Sequence, residues 1–471
     1  MTSSTLAACE ETWDSSIMPV LCDYVRVPNV SSAFDPAWRE NGHMQRAAEM
    51  LRDWCAGQPV EGMRIDLLTH ESLSPLLLID IEAHRSRRTD TVLLYGHLDK
   101  QPEMTGWRDG LGPWTPVVED GKLYGRGGAD DGYSVFASLT AVAVAQREGR
   151  EHARCVILIE ASEESGSVDL PGWLDLLGDR IGDPSLVICL DSGCLDYERM
   201  WVTTSLRGLA DGVLRVDVLD EGVHSGEASG VVPSSFRIAR NLLDRIEDSA
   251  TGEILLPELH ADIPAHRVAE AQDTAAEFPE PVAAHYPFAG GTRPMTDSAS
   301  EQLLNRTWRP TLSVTGADGL PPTGRAGNVL RPFTSLRLSF RLPPTCDASA
   351  ALGAVRRALT VSAPHGATVT FGDTHAADGW NAPDPEPWLV AALDEASTAS
   401  FGRPARNFGE GGSIPFMGML GERFPRAQFV ITGVLGPGSN AHGPNEFMHI
   451  ETAKRLTAAM SMVLTAHAVR P

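Results

Sequence analysis

The sequence has little positive charge for its length and no long apolar run. Lys plus Arg number 39 against 62 Asp plus Glu, so the formal net charge is −23 and the pI is near 5.0. A chain this acidic repels phosphate backbones and anionic membrane surfaces. No apolar run reaches the roughly 18 residues that a membrane-spanning helix needs. We therefore expect neither nucleic acid nor membrane among its partners.

Cysteine is also scarce, and the seven cysteines are scattered along the chain. Their number is odd and none of them forms a Cys-x-x-Cys pair, which is typical of reduced thiols in a cytosol. We assign no disulfide to them and predict a cytoplasmic protein.

Two common catalytic motifs are missing. The absence of a Gly-x-Ser-x-Gly elbow argues against a serine hydrolase of the α/β type. The glycine-rich stretch 125–132 (GRGGADDG) lacks the Lys-Ser or Lys-Thr of a phosphate-binding loop. The remaining candidates for catalytic or metal-binding residues are acidic and imidazole side chains.

Short apolar runs in the first half of the chain predict buried parallel strands. The runs are 91–95 (TVLLY), 155–159 (CVILI) and 186–190 (LVICL). Continuous apolar runs of this length suit strands that are covered on both faces. An Ala-rich helix is predicted at 133–147, between the first two runs. The pattern predicts an α/β domain with a doubly wound, mostly parallel sheet.

A second pattern begins near residue 206. Stretches 212–219 and 336–342 largely alternate between apolar and polar residues, which indicates strands with one solvated face. With helices at 234–248 and 348–359 and a strand at 368–371, the order is that of a ferredoxin-like α+β unit.

The α/β pattern returns after residue 384, with a strand at 428–433 and a closing helix at about 450–466. The second domain is therefore predicted to be an insertion into the first. We expect a catalytic domain made of residues 1–205 and 385–471, and an inserted lid and dimerisation domain at 206–384.

Five clusters of carboxylate or imidazole side chains stand out, most of them directly after a predicted strand. Singly, each is explained as a helix cap, a solvated turn or a structural histidine. Together they indicate a metal centre, because open α/β sheets bind ligands at the carboxyl ends of their strands. Adjacent acids such as Glu163-Glu164 repel each other unless cations are near. The candidate residues are His97, Asp99, Asp130, Glu163, Glu164, Asp191 and His442.

The motifs GHLD, GRGGADDG, EESG, LDSG and NAHGPNE, in this order, resemble those of the M20 family of metallopeptidases. The resemblance covers nearly the whole chain. It implies two divalent metal ions bridged by Asp130, with His97 and Asp191 completing one position and Glu164 and His442 the other. Zinc suits these mixed nitrogen and oxygen ligands, with manganese and cobalt as alternatives.

The resemblance also assigns roles around the metal ions. It implies that a hydroxide held between the ions attacks the scissile carbonyl, that Glu163 is the general base, and that Asp99 orients His97. It further implies a cis peptide bond after Asp130.

Substrate contacts follow from the same resemblance. His224 resembles a histidine that reaches across a dimer to stabilise the oxyanion, so a homodimer is expected. Arg341 resembles an arginine that binds the substrate carboxylate. Asn328, His375 and Ser413 are similar to further contact residues.

Within the family the chain is similar to the carnosinase-like dipeptidase branch, in three segments at 112–127, 253–263 and 304–319. Family members that have Asp at the position of Asp191, instead of Glu, are mostly dipeptidases and aminopeptidases. The branch usually has Lys-Gly after the paired aspartates, where this chain has Gly132-Tyr133. The expected substrate is a dipeptide or another small amino-acid conjugate.

Two alternatives remain open. An N-acyl-amino-acid amidohydrolase would share all the metal residues, so the motifs do not separate it from a dipeptidase. A non-catalytic scaffold would be expected to have lost at least one ligand or Glu163, and all of them are present.

Overall fold

The computed structural model describes residues 2–277, 282–412 and 414–471. Contacts along the chain divide it into two compact units. Unit 1 comprises Met1–Thr204, Ala382–Phe408 and Met419–Pro471, and unit 2 comprises Ser205–Asn381 and Gly409–Gly418.

The helices are distributed over both units. The α-helices are Thr2–Thr12, Met18–Val25, Trp38–Asn41, His43–Ala56, Ser134–Arg147, Leu170–Leu177, Ser225–Ala228, Ser235–Leu243, Ala265–Glu277, Ala299–Thr307, Ala348–Thr360, Pro387–Phe401, Pro415–Arg423 and Ile450–Val469. In the described residues, no helix combines the length and the apolar character that crossing a membrane requires.

A six-stranded mixed sheet forms the centre of unit 1. Its strands lie in the order Met63–Leu68, Leu76–Ile81, Arg154–Glu160, Thr91–His97, Pro184–Cys189 and Gln428–Ile431. The last four are parallel to one another, and the first two pair antiparallel at one edge. The three predicted apolar runs are therefore adjacent parallel strands, whereas the two antiparallel strands were not predicted.

The core of unit 1 explains why these runs are continuous. Every residue of Thr91–His97 is buried, and the Ala-rich helix Ser134–Arg147 shares the same hydrophobic core. Small side chains on the helix let it pack closely on strands that expose no polar face, and burial of this apolar surface is the main stabilising term. A further three-stranded sheet is made of Phe447–His449, Lys122–Tyr124 and Val117–Glu119.

Unit 2 is built on a four-stranded antiparallel sheet. The strands lie in the order Thr311–Asp318, Phe333–Leu342, Gly208–Asp217 and Thr368–Ala377. With the helices Ser235–Leu243 and Ala348–Thr360, the order along the chain is β-α-β-β-α-β, as the alternating pattern predicts. The first of these helices is shorter than the expected 234–248. The remaining strands are the pair Val223–His224 and Val329–Leu330, and Trp201–Leu206, Trp380–Asn381 and Arg406–Glu410.

One boundary differs from the sequence-based prediction. Gly409–Gly418 belongs to unit 2, although the prediction assigned all residues after 384 to the catalytic domain. The reason is local hydrogen bonding: the backbone N–H of Arg207 donates to Gly412 O at 3.0 Å, and its Nε donates to Gly411 O at 3.1 Å. A single segment joined by backbone contacts of this kind leaves no apolar pattern in the sequence.

Gly96 is the tightest point between the strand Thr91–His97 and the following helix. A methyl group there would lie 2.1 Å from Ser134 Oγ and 2.8 Å from Asp131 Oδ2. We predict that Gly96→Ala lowers the free energy of unfolding by about 1–3 kcal/mol, as overpacking does. Urea denaturation measures this. Gly172→Ala, where the nearest atoms are 3.4 Å away, is the matched control and should be near neutral. Equal midpoints for the two variants would contradict the prediction.

Candidate metal centre

His97 is the last residue of the strand Thr91–His97, and several acidic side chains surround its imidazole ring. Its side chain is fully buried, and its Nε2 atom makes no hydrogen bond. Carboxylate oxygens of Asp130, Asp191 and Glu163 lie 3.3, 3.7 and 3.9 Å from that nitrogen. A buried imidazole nitrogen without a hydrogen bond, surrounded by acid oxygens, fits a metal ligand.

Asp99 connects two of the predicted motifs. Its two carboxylate oxygens accept hydrogen bonds from the backbone N–H groups of Glu163 and Glu164, at 3.1 and 3.0 Å. The Nδ1 atom of His97 lies 3.1 Å from the backbone oxygen of Asp99 and 3.4 Å from its Oδ1. Asp99 is therefore placed to hold both the imidazole and the turn that carries the paired glutamates.

Asp130 lies between the two histidines. Its Oδ1 is 3.3 Å from His97 Nε2, and its Oδ2 is 3.0 Å from His442 Nε2. The peptide bond between Asp130 and Asp131 is cis, as the family resemblance implies. The buried carboxylate of Asp131 accepts a hydrogen bond from the backbone N–H of His97 at 3.3 Å. The turn thus presents one carboxylate to both histidines.

A second group forms around the other oxygen of Asp130. Oε2 of Glu164 lies 3.3 Å from His442 Nε2 and accepts a hydrogen bond from Gln101 Nε2 at 2.7 Å. Glu164 is buried, but the side chain of His442 is 56% exposed. Two sets of three potential ligand atoms result, each within 4.8 Å of one another: His97, Asp130 and Asp191, and Asp130, Glu164 and His442. The structure thus brings all five predicted ligands together.

The acid groups of this cluster are electrostatically strained without cations. Burial raises the pKa of Asp191 to about 6, although the nearby His97 partly offsets the shift. Burial, together with Asp191, raises the pKa of Glu163 well above its ordinary range, and burial with Asp130 does the same for Glu164. Burial also opposes ionisation of Asp130, but the two histidines hold its pKa below the ordinary value. Divalent cations would relieve this repulsion, so the donor set fits two such ions.

The predicted substrate residues lie in unit 2. His224 pairs with Val329 in a short antiparallel ladder, and its Nδ1 accepts a hydrogen bond from Gly226 N at 3.1 Å. The backbone oxygen of Asn328 accepts from Ser225 N at 2.9 Å. His224 and Asn328 are thus brought close together.

Arg341 and His375 lie on the four-stranded sheet. Arg341 is opposite Leu209, and His375 is opposite Asp211, which itself pairs with Ser339. Because residues 339 and 341 alternate with the buried Leu338, Phe340 and Leu342, both predicted contacts lie on the face away from the core. Ser413, the remaining predicted contact, lies outside the described residues.

Sequence reasoning missed several residues of the surroundings. Lys100 is fully buried, and its Nζ donates hydrogen bonds to Tyr24 O and Val27 O at 2.8 and 2.9 Å. Its side chain also packs on Gly127, which has a φ of 75° and has no room for a methyl group. The other missed residues are Gln101, Arg126, Asp131 and Glu446. All stand inside or next to the quoted motifs, so their position was the signal that could have found them.

Comparisons with known proteins agree with this geometry. The sequence profile of peptidase family M20/M25/M40 matches residues 93–466. A cysteinylglycine-S-conjugate dipeptidase of Corynebacterium striatum is 28% identical over 382 residues, which is 77% of this chain and 79% of that protein. A beta-Ala-His dipeptidase of Mus musculus is 27% identical over 318 residues, 65% of this chain and 62% of that protein.

A solved structure shows the same fold. Human carnosine dipeptidase 1 superposes with a TM-score of 0.78 at 21% identity, over 99% of this chain and 98% of that one. The chain belongs to the M20 family of peptidases, and the family predicted from the five motifs is confirmed. Its curated relatives include the carnosinase-like dipeptidases that the sequence pattern indicated.

Asp191 provides a test of the electrostatics in metal-free protein. A carboxyl pKa raised from 3.8 to about 6 contributes stability below about pH 4, and the contribution is lost as the pH rises through 6. Between about pH 4 and pH 7, we predict that the free energy of unfolding falls by about 3 kcal/mol less in Asp191→Asn than in the wild type. Urea denaturation of EDTA-treated proteins measures the difference. With saturating Zn²⁺ the same substitution should destabilise, because a ligand is lost, and parallel pH profiles of the two metal-free proteins would refute the prediction.

Proposed function

We propose that this protein hydrolyses the peptide bond of dipeptides or other short peptides with two divalent metal ions. The observation that carries the proposal is Asp130, whose two oxygens face the two histidines from opposite sides. A carboxylate shared in this way suits two adjacent cations. His97 and Asp191 would complete one position, and Glu164 and His442 the other. Zinc suits this donor set, with manganese or cobalt as substitutes.

The choice of dipeptides is supported by the two relatives described above, a cysteinylglycine-S-conjugate dipeptidase and a beta-Ala-His dipeptidase. We assign catalysis to unit 1, whose central sheet carries the acid cluster. To unit 2 we assign the roles of lid and of contact in a homodimer. A cytoplasmic location and a doubly wound arrangement of helices around the sheet stay predictions, the former from the free cysteines.

Glu163 is proposed as the general base. When bound, two divalent cations would polarise the scissile carbonyl and make a water molecule more acidic. Glu163 is mostly buried, and its carboxylate lies beside the two positions, 3.9 Å from His97 Nε2. Its carboxylate is placed there to take a proton from a water molecule and to pass it to the leaving amine. The hydrogen bonds from the backbone of residues 163 and 164 to Asp99 fix the turn from which it acts.

Residues of unit 2 are proposed to bind the substrate. Arg341 would bind the free carboxylate, because a guanidinium group offers two parallel donors to it. His224 of a partner subunit would stabilise the oxyanion, and Asn328, His375 and Ser413 would add further contacts. An arginine that binds the free carboxylate would favour the C-terminal peptide bond, as in a dipeptide, over an internal bond of a longer chain.

Replacing the base should separate chemistry from metal binding. We predict that Glu163→Gln lowers kcat for dipeptide hydrolysis by about 10²- to 10⁴-fold, because the proton acceptor is lost. The zinc content should stay at the wild-type value, since Glu163 belongs to neither group of three ligands. Hydrolysis of a panel of dipeptides and N-acyl amino acids by zinc-loaded protein measures kcat, and elemental analysis of the same protein measures the zinc content.

The same panel decides between the candidate activities. Cleavage confined to N-acyl amino acids would move the protein to the amidohydrolase alternative. No cleavage of any substrate by protein that contains two zinc ions would reject the proposed activity.

Arg341 can be tested against a second arginine of the same strand. We predict that Arg341→Met raises KM for dipeptides about 10- to 100-fold, the loss expected for a charged hydrogen bond, and leaves KM for dipeptide amides nearly unchanged. Arg337→Met is the matched control, because Arg337 pairs with Asp211 and Asp373. A similar loss for dipeptides and their amides would show that Arg341 does not bind the carboxylate.

A further inference from the structure

The loop that carries His442 is weakly buried except at its end. Three of its non-glycine residues, Asn440, His442 and Asn445, have φ values of 54°, 64° and 62°, in the left-handed region. Their side chains are half-buried or exposed, whereas Glu446 at the end of the loop is fully buried. A loop with this conformation needs specific contacts to remain in one geometry.

Glu446 and Arg126 supply such contacts. Their side chains form an ion pair that is 0% and 1% exposed. The other carboxylate oxygen of Glu446 accepts a hydrogen bond from Gly127 N at 2.9 Å. Nη2 of Arg126 donates to the backbone oxygens of His442 and Gly443, at 3.0 and 2.9 Å.

The pair therefore joins two segments that each carry a candidate ligand. Arg126 and Gly127 belong to the turn that leads to Asp130, and Glu446 belongs to the loop that carries His442. The backbone of Gly125 also donates to Glu446 O at 3.0 Å. The pair thus holds the main chain of His442 at the place where its Nε2 reaches Asp130 Oδ2.

A buried ion pair is not an efficient source of stability. Desolvation of both charges offsets most of their attraction, so apolar side chains of similar size often stabilise a fold equally well. What apolar side chains cannot do is donate to the backbone oxygens of His442 and Gly443. These hydrogen bonds therefore indicate that the ion pair fixes the position of the loop that carries His442.

We propose that Arg126 and Glu446 are positioning residues that hold His442 beside Asp130, and that binding of the second metal ion depends on them. The inference rests on the proposed two-metal centre. The first position should depend less on the pair, because two of its three ligands, His97 and Asp191, lie at or just after the ends of strands of the central sheet. Loss of the pair should therefore weaken the binding of one of the two metal ions and leave the binding of the other nearly unchanged.

Zinc titration of the metal-free protein by calorimetry tests this directly. The wild type is expected to bind two equivalents. In Glu446→Gln and in Arg126→Met, the affinity of one equivalent should fall about 10- to 100-fold, as it does when outer partners of metal ligands are removed. The matched control is Asp80→Asn, which breaks the partly buried pair with Arg154 at the other end of the strand Arg154–Glu160. Both zinc affinities should be unchanged in the control.

A double variant separates positioning from stability. Arg126→Met/Glu446→Leu replaces the pair with apolar side chains and should regain unfolding stability relative to the single variants. Weak binding of the second zinc ion should persist in it, because the donors to the His442 loop are still missing. Wild-type affinity for both ions in any folded variant of the pair would overturn the proposal.

The outcome is distinguishable from failure of the proposed function. Two equivalents of zinc in wild-type protein that cleaves no dipeptide would reject the activity and leave the positioning role intact. Amide hydrogen exchange of residues 440–445 in metal-free protein gives a readout without metal. It should become faster in Glu446→Gln, and unchanged exchange would overturn the proposal.

Discussion

Repulsion among buried carboxylates is the constraint on which the rest of the site depends. Six acid side chains lie in or beside the centre, and the only imidazoles that touch them in the described residues are His97 and His442. Each of these acids is buried or mostly buried. Such a cluster is costly to fold unless cations enter it, which links the stability of the domain to its chemistry. The acids are Asp99, Asp130, Asp131, Glu163, Glu164 and Asp191.

The central sheet makes this crowding possible. Three parallel strands that end side by side deliver His97, the Glu163-Glu164 turn and Asp191 to one edge. Because the carboxyl ends of parallel strands lie side by side, side chains that are far apart in sequence come together at this edge. The antiparallel strands at the far edge of the sheet contribute apolar surface, and none of the predicted ligands stands on them.

Much of this arrangement was predictable because it rests on local patterns. The strand ending at His97 could be read from five consecutive apolar residues, and the ligands from carboxylates that follow such runs. The antiparallel strand Leu76–Ile81 was not predicted, although its apolar run 76–79 resembles those of the predicted strands. The placement of Gly409–Gly418 in unit 2 depends on hydrogen bonds from Arg207 to the backbone oxygens of Gly411 and Gly412, and backbone acceptors leave no pattern in the sequence. A hydrophobic pattern in the sequence shows which residues are buried, but it does not show which segments pair with each other.

The two proposed metal positions differ in how their ligands are held, because one ligand of the second position, His442, comes from a loop. Two ligands of the first position, His97 and Asp191, lie at or just after the ends of strands that the core holds in place, so the fold itself sets their geometry. His442 comes from a loop near the end of the chain and is more than half exposed. Its place is set by a few hydrogen bonds, chiefly those of Arg126 and Glu446. In the proposed centre, the position that includes His442 is therefore the one whose geometry can change without disturbing the core.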